Sequence, residues 1–158
     1  MKSRTSRPGV TLVEMLVVMA ILMMLVGVVA VVWKRLDVQA KEKALKNTLT
    51  VLDSALSEYR DAKDTFPVPE TNDITVEERN EFLCRKLLGE PQSRVIMDTL
   101  DGGPRGTLRR LAPPLPTLVY DPWNMPLDYT YRTGDTFPLL RSCGPDGRPN
   151  TADDITNR

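Results

Sequence analysis

From Met15 to Trp33 the chain runs nineteen residues without a charged or polar side chain, whereas from Leu45 to Tyr59 its apolar residues return at three- and four-residue steps. The first pattern is that of a helix greasy on every side, and the second that of a helix with one sheltered face. At about 1.5 Å per residue the uniform run is long enough for a bilayer. Between Val10 and Thr65 there is no proline and a single glycine, Gly27, so the two patterns predict one continuous helix. Some fifty residues of helix would span about 80 Å. Leu45, Leu49, Leu52, Leu56 and Tyr59 mark the sheltered side of its second half, and Asp37 with Lys41 and Glu42 with Lys46 supply i,i+4 pairs elsewhere on it. Pro67 and Pro69 cannot continue a helix, which sets the expected end near Phe66.

Past that point the pattern breaks into short pieces. Thr75 followed by Glu78 is a capping-box spacing and predicts a short helix through "VEERNEFLCRKLLG". Phe82, Leu83, Leu87 and Leu88 form its apolar side, and Gly89 and Pro91 stop it. Val95 to Met97 reads as a short strand inside a surface loop that carries a Gly-Gly-Pro turn and ends at Pro113, Pro114 and Pro116. Arg105, Arg109 and Arg110 read as solvated basic positions on that loop. Gly102, Gly103 and Gly106 lack the preceding strand and the Lys-Ser/Thr ending of a phosphate loop. Leu127, Tyr129 and Tyr131 then alternate with Asp128, Thr130 and Arg132, a turn follows at Thr133 to Asp135, and "TFPLLRS" runs back. That is a hairpin signal, and the expected class is α+β.

Composition narrows the function. A chain of 158 residues minus its apolar start leaves room for one small domain on an anchor. The 21 basic and 21 acidic residues balance and are not gathered into a stripe, so nucleic acid is set aside as a partner. There is no histidine, which removes the usual general base, the Ser-His and Cys-His nucleophile pairs and the HExxH zinc motif. The chain is expected not to be an enzyme. Cys84 and Cys143 are too few for a zinc site and are either free or paired. A bond between them would close a loop of about 60 residues and stabilise by roughly 4 kcal/mol in the chain-entropy model.

One residue of the apolar start needs its own account. Glu14 is an acid at the head of a run whose leucines, isoleucine and valines favour insertion by very roughly 3 to 7 kcal/mol, against at most about 3 kcal/mol for one carboxylate. Insertion wins, yet the acid remains. Lys2, Arg4 and Arg7 form a basic start, but no small-residue cleavage site follows the apolar run, so it is not an ordinary removable signal. Instead Gly9 stands before Val10-Thr11-Leu12-Val13-Glu14. These residues resemble the prepilin leader of type IV pilins and type II secretion pseudopilins. The resemblance implies cleavage after Gly9 by a prepilin peptidase and N-methylation of Val10. It also implies that Glu14 of one subunit faces the cationic amine of a neighbour's Val10 in a fibre, because an unpaired acid in lipid is costly. The ending "EYRDAKDTFP" is similar to the end of the long helix in pseudopilins.

The C-terminal stretch "SCGPDGRPNTADDI" places Asp146, Asp153 and Asp154 within nine residues, among the turn formers Gly144, Pro145, Gly147 and Pro149. Hard oxygen ligands on a tight loop point to Ca²⁺ or Mg²⁺, the mixture of carboxylates with irregular backbone carbonyls suits Ca²⁺ better, and the EF-hand spacing is absent. Together with "DPWNMPLDY" the stretch resembles the signatures of the major pseudopilin of type II secretion. That resemblance implies Asp146 and Asp153 as side-chain ligands, Asp154 as a third, and carbonyls near Cys143 and Thr151 as backbone ligands of a structural Ca²⁺. The chain departs from the family pattern at Asn124, where glycine is usual, at Cys143, and in a longer middle region. Whether it is the major subunit or a relative stays open.

The expectation is therefore a type IV pilin-like α+β protein, with a leader over 1–9, a membrane and fibre-core helix over 10–33 and an amphipathic helix over 34–66. A globular domain over 67–158 follows, with a small antiparallel sheet and a calcium loop over 142–155. It would sit in the inner membrane with its N-terminus in the cytoplasm and its domain in the periplasm, and polymerise into a pseudopilus that drives protein export. The implied partners are further copies of itself, other pseudopilins, the prepilin peptidase, the inner-membrane assembly platform and membrane lipid. A pilin of a surface pilus, serving adhesion, motility or DNA uptake, is the near alternative. A monomeric membrane-anchored binding domain is the distant one, and an enzyme comes last.

Overall fold

The computed structural model describes residues 11–69, 74–101, 107–110 and 116–158, and its architecture is α+β. A long helix α1, Leu12–Lys63, comes first, followed by α2, Val76–Gly89, α3, Pro91–Met97, and a single 3₁₀ turn, Asp98–Leu100. The strands among the described residues are β1, Leu108–Arg110, β2, Thr117–Val119, β3, Asp128–Thr130, β4, Leu139–Ser142, and β5, Ile155–Thr156. All pair antiparallel, β1 with β2 in one sheet and β3-β4-β5 in the other.

The chain divides into two compact units, residues 1–39 and 40–158, with the boundary inside α1. In the first unit the described side chains from Leu12 to Val29 are all exposed, Leu12 at 81% and Met24 at 75%. This helix has no core of its own. The span Leu12–Val29 has a mean hydropathy of 2.8 and is long and apolar enough to cross a membrane. A helix is the form such a segment takes in lipid, since it satisfies its backbone polar groups internally.

In the second unit α1 becomes one-sided. Leu45, Leu52, Ala55 and Leu56 are fully buried and Leu49 and Tyr59 nearly so, which is the side that the three- and four-residue steps marked. They pack with Leu83, Cys84 and Leu87 of α2, Met97 of α3, and Leu108, Val119, Leu127, Tyr129 and Leu140 around the strands. Each leucine taken fully out of water contributes roughly 1.5–3 kcal/mol, so this face alone accounts for a large part of the domain's stability.

α1 ends at Lys63, three residues before the expected point. Asp64 takes a left-handed conformation, φ 57°, and its N–H donates to the Arg60 carbonyl at 2.7 Å. A short polar side chain tolerates that conformation and closes the helix before the prolines act. Phe66 then turns inward, edge-on to the rings of Tyr131 and Phe137 at 5.3 and 4.9 Å, and the Tyr129 hydroxyl donates to the Pro67 carbonyl at 2.6 Å.

α2 has the predicted bounds and its capping box is formed: the Glu78 N–H donates to the Thr75 hydroxyl, and the Thr75 N–H to the Glu78 carboxylate. Val95 to Met97, expected as a strand, is the last turn of α3. Pro91 opens that helix at its first position, and the four-residue step then buries Ser93 and Met97 together while Val95 stays exposed. The Ser93 hydroxyl donates to the Ala55 carbonyl of α1 at 3.0 Å and anchors α3 there. The stretch expected as one surface loop thus also holds the 3₁₀ turn and β1, whose Leu108 pairs with Val119. Gly102, Gly103, Arg105, Gly106, Pro113 and Pro114 lie outside the described residues.

The hairpin forms as the alternation predicts, with Tyr129 opposite Leu140, both fully buried. β5 adds to the far side of β4, Ser142 opposite Ile155. The loop between β4 and β5 is therefore held at both ends by one sheet.

Candidate functional site

Two places carry chemistry, one at the head of α1 and one in the loop between β4 and β5. At the head, the Glu14 N–H donates to the Thr11 hydroxyl at 3.2 Å and the Thr11 N–H to the Glu14 carboxylate at 3.4 Å. This is a second capping box, and it gives Glu14 a partner within its own chain. Thr-x-x-Glu stands at 11–14 as it does at 75–78, so the signal was in the sequence beside the one that was read. Gly9 and Val10, the expected cleavage and methylation positions, lie outside the described residues.

In the C-terminal loop Gly144 has φ 63°, and a Cβ there would fall 2.2 Å from the Asp153 carbonyl oxygen, so only glycine fits. That close approach folds the loop onto itself. The Thr151 hydroxyl is then surrounded by oxygens: Asp153 Oδ1 at 2.7 Å, the Arg148 carbonyl at 3.0 Å, Asp154 Oδ1 at 3.3 Å and Asp146 Oδ1 at 3.4 Å. A hydroxyl has one proton to give, so most of these acceptors go without it. The carboxylates are oriented from behind by backbone N–H groups, Asp146 N–H to Asp153 Oδ2 at 3.1 Å, Arg148 N–H to Asp146 Oδ1 at 2.8 Å and Asn150 N–H to Asp154 Oδ2 at 2.9 Å. The Thr151 hydroxyl first, and the Asp146 N–H after it, hold the Asp153 carboxyl below its ordinary pKa.

The structure brings together Asp146, Asp153, Asp154 and Thr151 as the sequence implied, but it is the Thr151 side chain that joins the cluster. The Thr151 carbonyl accepts the Asp154 N–H at 3.4 Å within the turn. Cys143 is half-buried beside the group, its thiol pushed up chiefly by burial and next by the Asp154 charge. Among the described residues no set of three or more His, Cys, Asp and Glu side chains is placed ready to hold a metal. The oxygens are gathered on a hydroxyl instead. They stand a few tenths of an ångström to about 1 Å beyond Ca–O contact distance from the point that Thr151 Oγ1 occupies. The donor set suits a hard cation, and closing on one requires the Thr151 hydroxyl to give way.

Two supports of this loop were not read from the sequence. Asp121, 4% exposed, accepts the Trp123 and Met125 N–H groups on Oδ1 at 2.9 and 2.8 Å and the Ser142 hydroxyl on Oδ2 at 2.5 Å. Ser142 in turn accepts the Gly144 N–H at 3.1 Å, so "DPWN" fixes the start of the acidic loop from 21 residues away. Asn124, the departure from glycine in that turn, has φ 72°, a conformation asparagine tolerates better than most residues. The other support is Asn157, which accepts the Leu140 N–H at 3.0 Å and donates to Asp53 of α1 at 2.7 Å. The spacing of an Asx turn could have revealed the first; nothing local reveals the second.

Cys84 and Cys143 are both free, so the bond left open by the sequence is not formed. Cys84 is fully buried on α2 with its thiol directed to Asn80 Oδ1, and burial pushes its pKa up to about 12. Such a thiol is a core side chain rather than a nucleophile.

Residues 4–30 match the family model described as the prokaryotic N-terminal methylation motif. No curated protein and no solved structure matches the chain. The matched span contains Gly9, Val10 and Glu14 and ends within the apolar helix. The motif marks a type IV pilin-like substrate of a prepilin peptidase, and it implies processing and pilin-like polymerisation in general.

Proposed function

We propose that this chain is a pseudopilin, stored in the inner membrane with its domain in the periplasm and polymerised through its N-terminal helix into a fibre of a type II secretion system. The observation that favours a secretion fibre over a surface pilus is the way the C-terminal end is closed. Pilins more often close it with a disulfide loop, whereas here both cysteines are free and an oxygen cluster gathers on Thr151. The role is structural rather than catalytic. Assembly needs a surface that is satisfied only by neighbours, which the exposed apolar half of α1 supplies. Glu14 then exchanges its long capping contact with Thr11 for the charged amine of a neighbour's Val10.

We also infer that the loop takes a structural Ca²⁺, with Asp146, Asp153 and Asp154 as the carboxylates and Thr151 beside them. The ion would supply the positive charge that a single hydroxyl proton does not.

The test is made in the native host. The mature N-terminal peptide is expected to begin at methylated Val10, and deletion of the chain is expected to stop export of secreted proteins while leaving surface fibres intact. Loss of surface fibres with normal export would favour the pilin reading, and a peptide still beginning at Met1 would remove both. For the ion, a chelator is expected to lower the melting temperature of the full chain in detergent, and no change on chelation sinks the calcium assignment.

A further inference from the structure

Asp128 of β3 is almost fully buried, yet it lies outside the loop that carries the acidic cluster. Its Oδ1 accepts Arg79 of α2 through Nε and Nη2, both at 2.8 Å, and its Oδ2 accepts Arg141 Nη2 of β4 at 3.0 Å. Arg79 is fixed from its other side by donating Nη1 to the Ile74 carbonyl at 2.5 Å, just ahead of α2. Arg141 stands directly opposite Asp128 in the sheet and reaches past it into the loop. There Nη1 donates to Asn150 Oδ1 at 2.6 Å and lies 3.7 Å from Asp154 Oδ2. Asp154 Oδ2 also accepts the Asn150 N–H, so its other oxygen is the one left facing Thr151.

These contacts form one unbroken series from α2 through two strands to a carboxylate of the oxygen cluster. We propose that Arg141 is a positioning residue: with Asp128 and Arg79 it aims Asp154 at the cluster and links cation binding in the loop to the docking of α2. The proposal rests on the calcium reading above. If the loop tightens when a cation binds, α2 must tighten by the same coupling free energy, because linkage is reciprocal. A bare positive charge beside the loop would do the reverse and repel the cation.

The test uses the full chain in detergent micelles, with Ca²⁺ itself as the probe. Calorimetric titration of Arg141→Met is expected to show affinity reduced about tenfold, the lower end for loss of an outer-shell partner. Arg141→Lys keeps the charge but cannot reach Asp128 and Asn150 at once, and is expected to resemble Arg141→Met. Unchanged or tighter binding by Arg141→Met overturns the proposal while leaving the calcium site standing. Absence of Ca²⁺ binding by the wild type removes both. Hydrogen exchange of the wild type decides the matter even if the variants do not fold. Added Ca²⁺ is expected to slow exchange across Val76–Gly89 as well as in the loop, and slowing confined to residues 143–156 overturns the linkage.

Discussion

The two halves of α1 share one secondary structure and differ in where their burial is completed. From Leu12 to Val29 every side chain is exposed, although the segment is the most apolar in the chain. From Leu45 to Tyr59 fewer apolar residues are present and their stripe is buried. Hydrophobicity therefore does not decide burial here; periodicity does. A one-sided stripe can be covered by a single domain, whereas a helix apolar all round can be satisfied only by lipid or by other helices around it. The second half folds the domain and the first half is left for lipid or for neighbouring helices, which is the surface that the proposed fibre uses.

The sharpest way to break the comparison is to cut the same side chain from each half. Leu52→Ala is expected to destabilise the domain by about 3 kcal/mol, through lost burial and the cavity left behind. Leu22→Ala, at a position 49% exposed, is expected to leave the domain's melting unchanged. Thermal unfolding of the full chain in detergent, followed by near-ultraviolet circular dichroism, checks both. A large loss from Leu22→Ala would mean that the first half is also part of the folded core.

A smaller effect compares the two capping boxes. Thr75→Ala removes a cap from a helix whose Leu83 and Leu87 are buried in the domain, and is expected to cost about 1 kcal/mol in the same melt. Thr11→Ala removes the corresponding cap at the head of α1 and is expected to leave the melt unmoved, because that turn supports no core. The Thr11 N–H that donates to the Glu14 carboxylate is a backbone group and is kept in this variant.

What could be read in advance follows the same division. The long helix, its buried face, α2 with its cap, and the β3–β4 hairpin were legible because each rests on a local period or a fixed spacing. α3 was misread because Val-Ile-Met has strand preference, and the contact that docks it, from Ser93 to the Ala55 carbonyl, spans 38 positions. Asn80 was invisible for the same reason. Fully buried, it donates to the Val119 and Leu127 carbonyls and accepts the Val119 N–H, joining α2 to β2 and to the residue before β3 by contacts with no sequence signature. In the acidic loop the carboxylates were legible and their scaffold was not. Asp121 reaches it through Ser142, 21 positions away, Asp128 through Arg141 across the sheet, and Asn157 fastens the strand behind it to β4 and α1, which only the folded chain establishes.

The smallest expected effect separates two aspartates of the folded unit by sign. The Thr151 hydroxyl and the Asp146 N–H lower the Asp153 pKa, so its contribution is present above the unfolded carboxylate range near pH 4 and is lost as pH falls through the depressed folded value. Asp53, on the half of α1 that the domain covers, is shifted the other way, raised by burial and only partly countered by Asn157. Its contribution is present below the unfolded value and is lost as pH rises through the elevated folded value. Melting temperatures measured between pH 3 and 7 without added cation therefore contain two opposed slopes. Asp153→Asn is expected to flatten the acid limb, and Asp53→Asn, which keeps an oxygen for the Asn157 amide, to steepen it and raise stability at neutral pH. Identical pH profiles for the two variants would show that the two opposed shifts are not present in solution. Loss of the Asp53 effect alone would show that burial does not act on this carboxyl in solution.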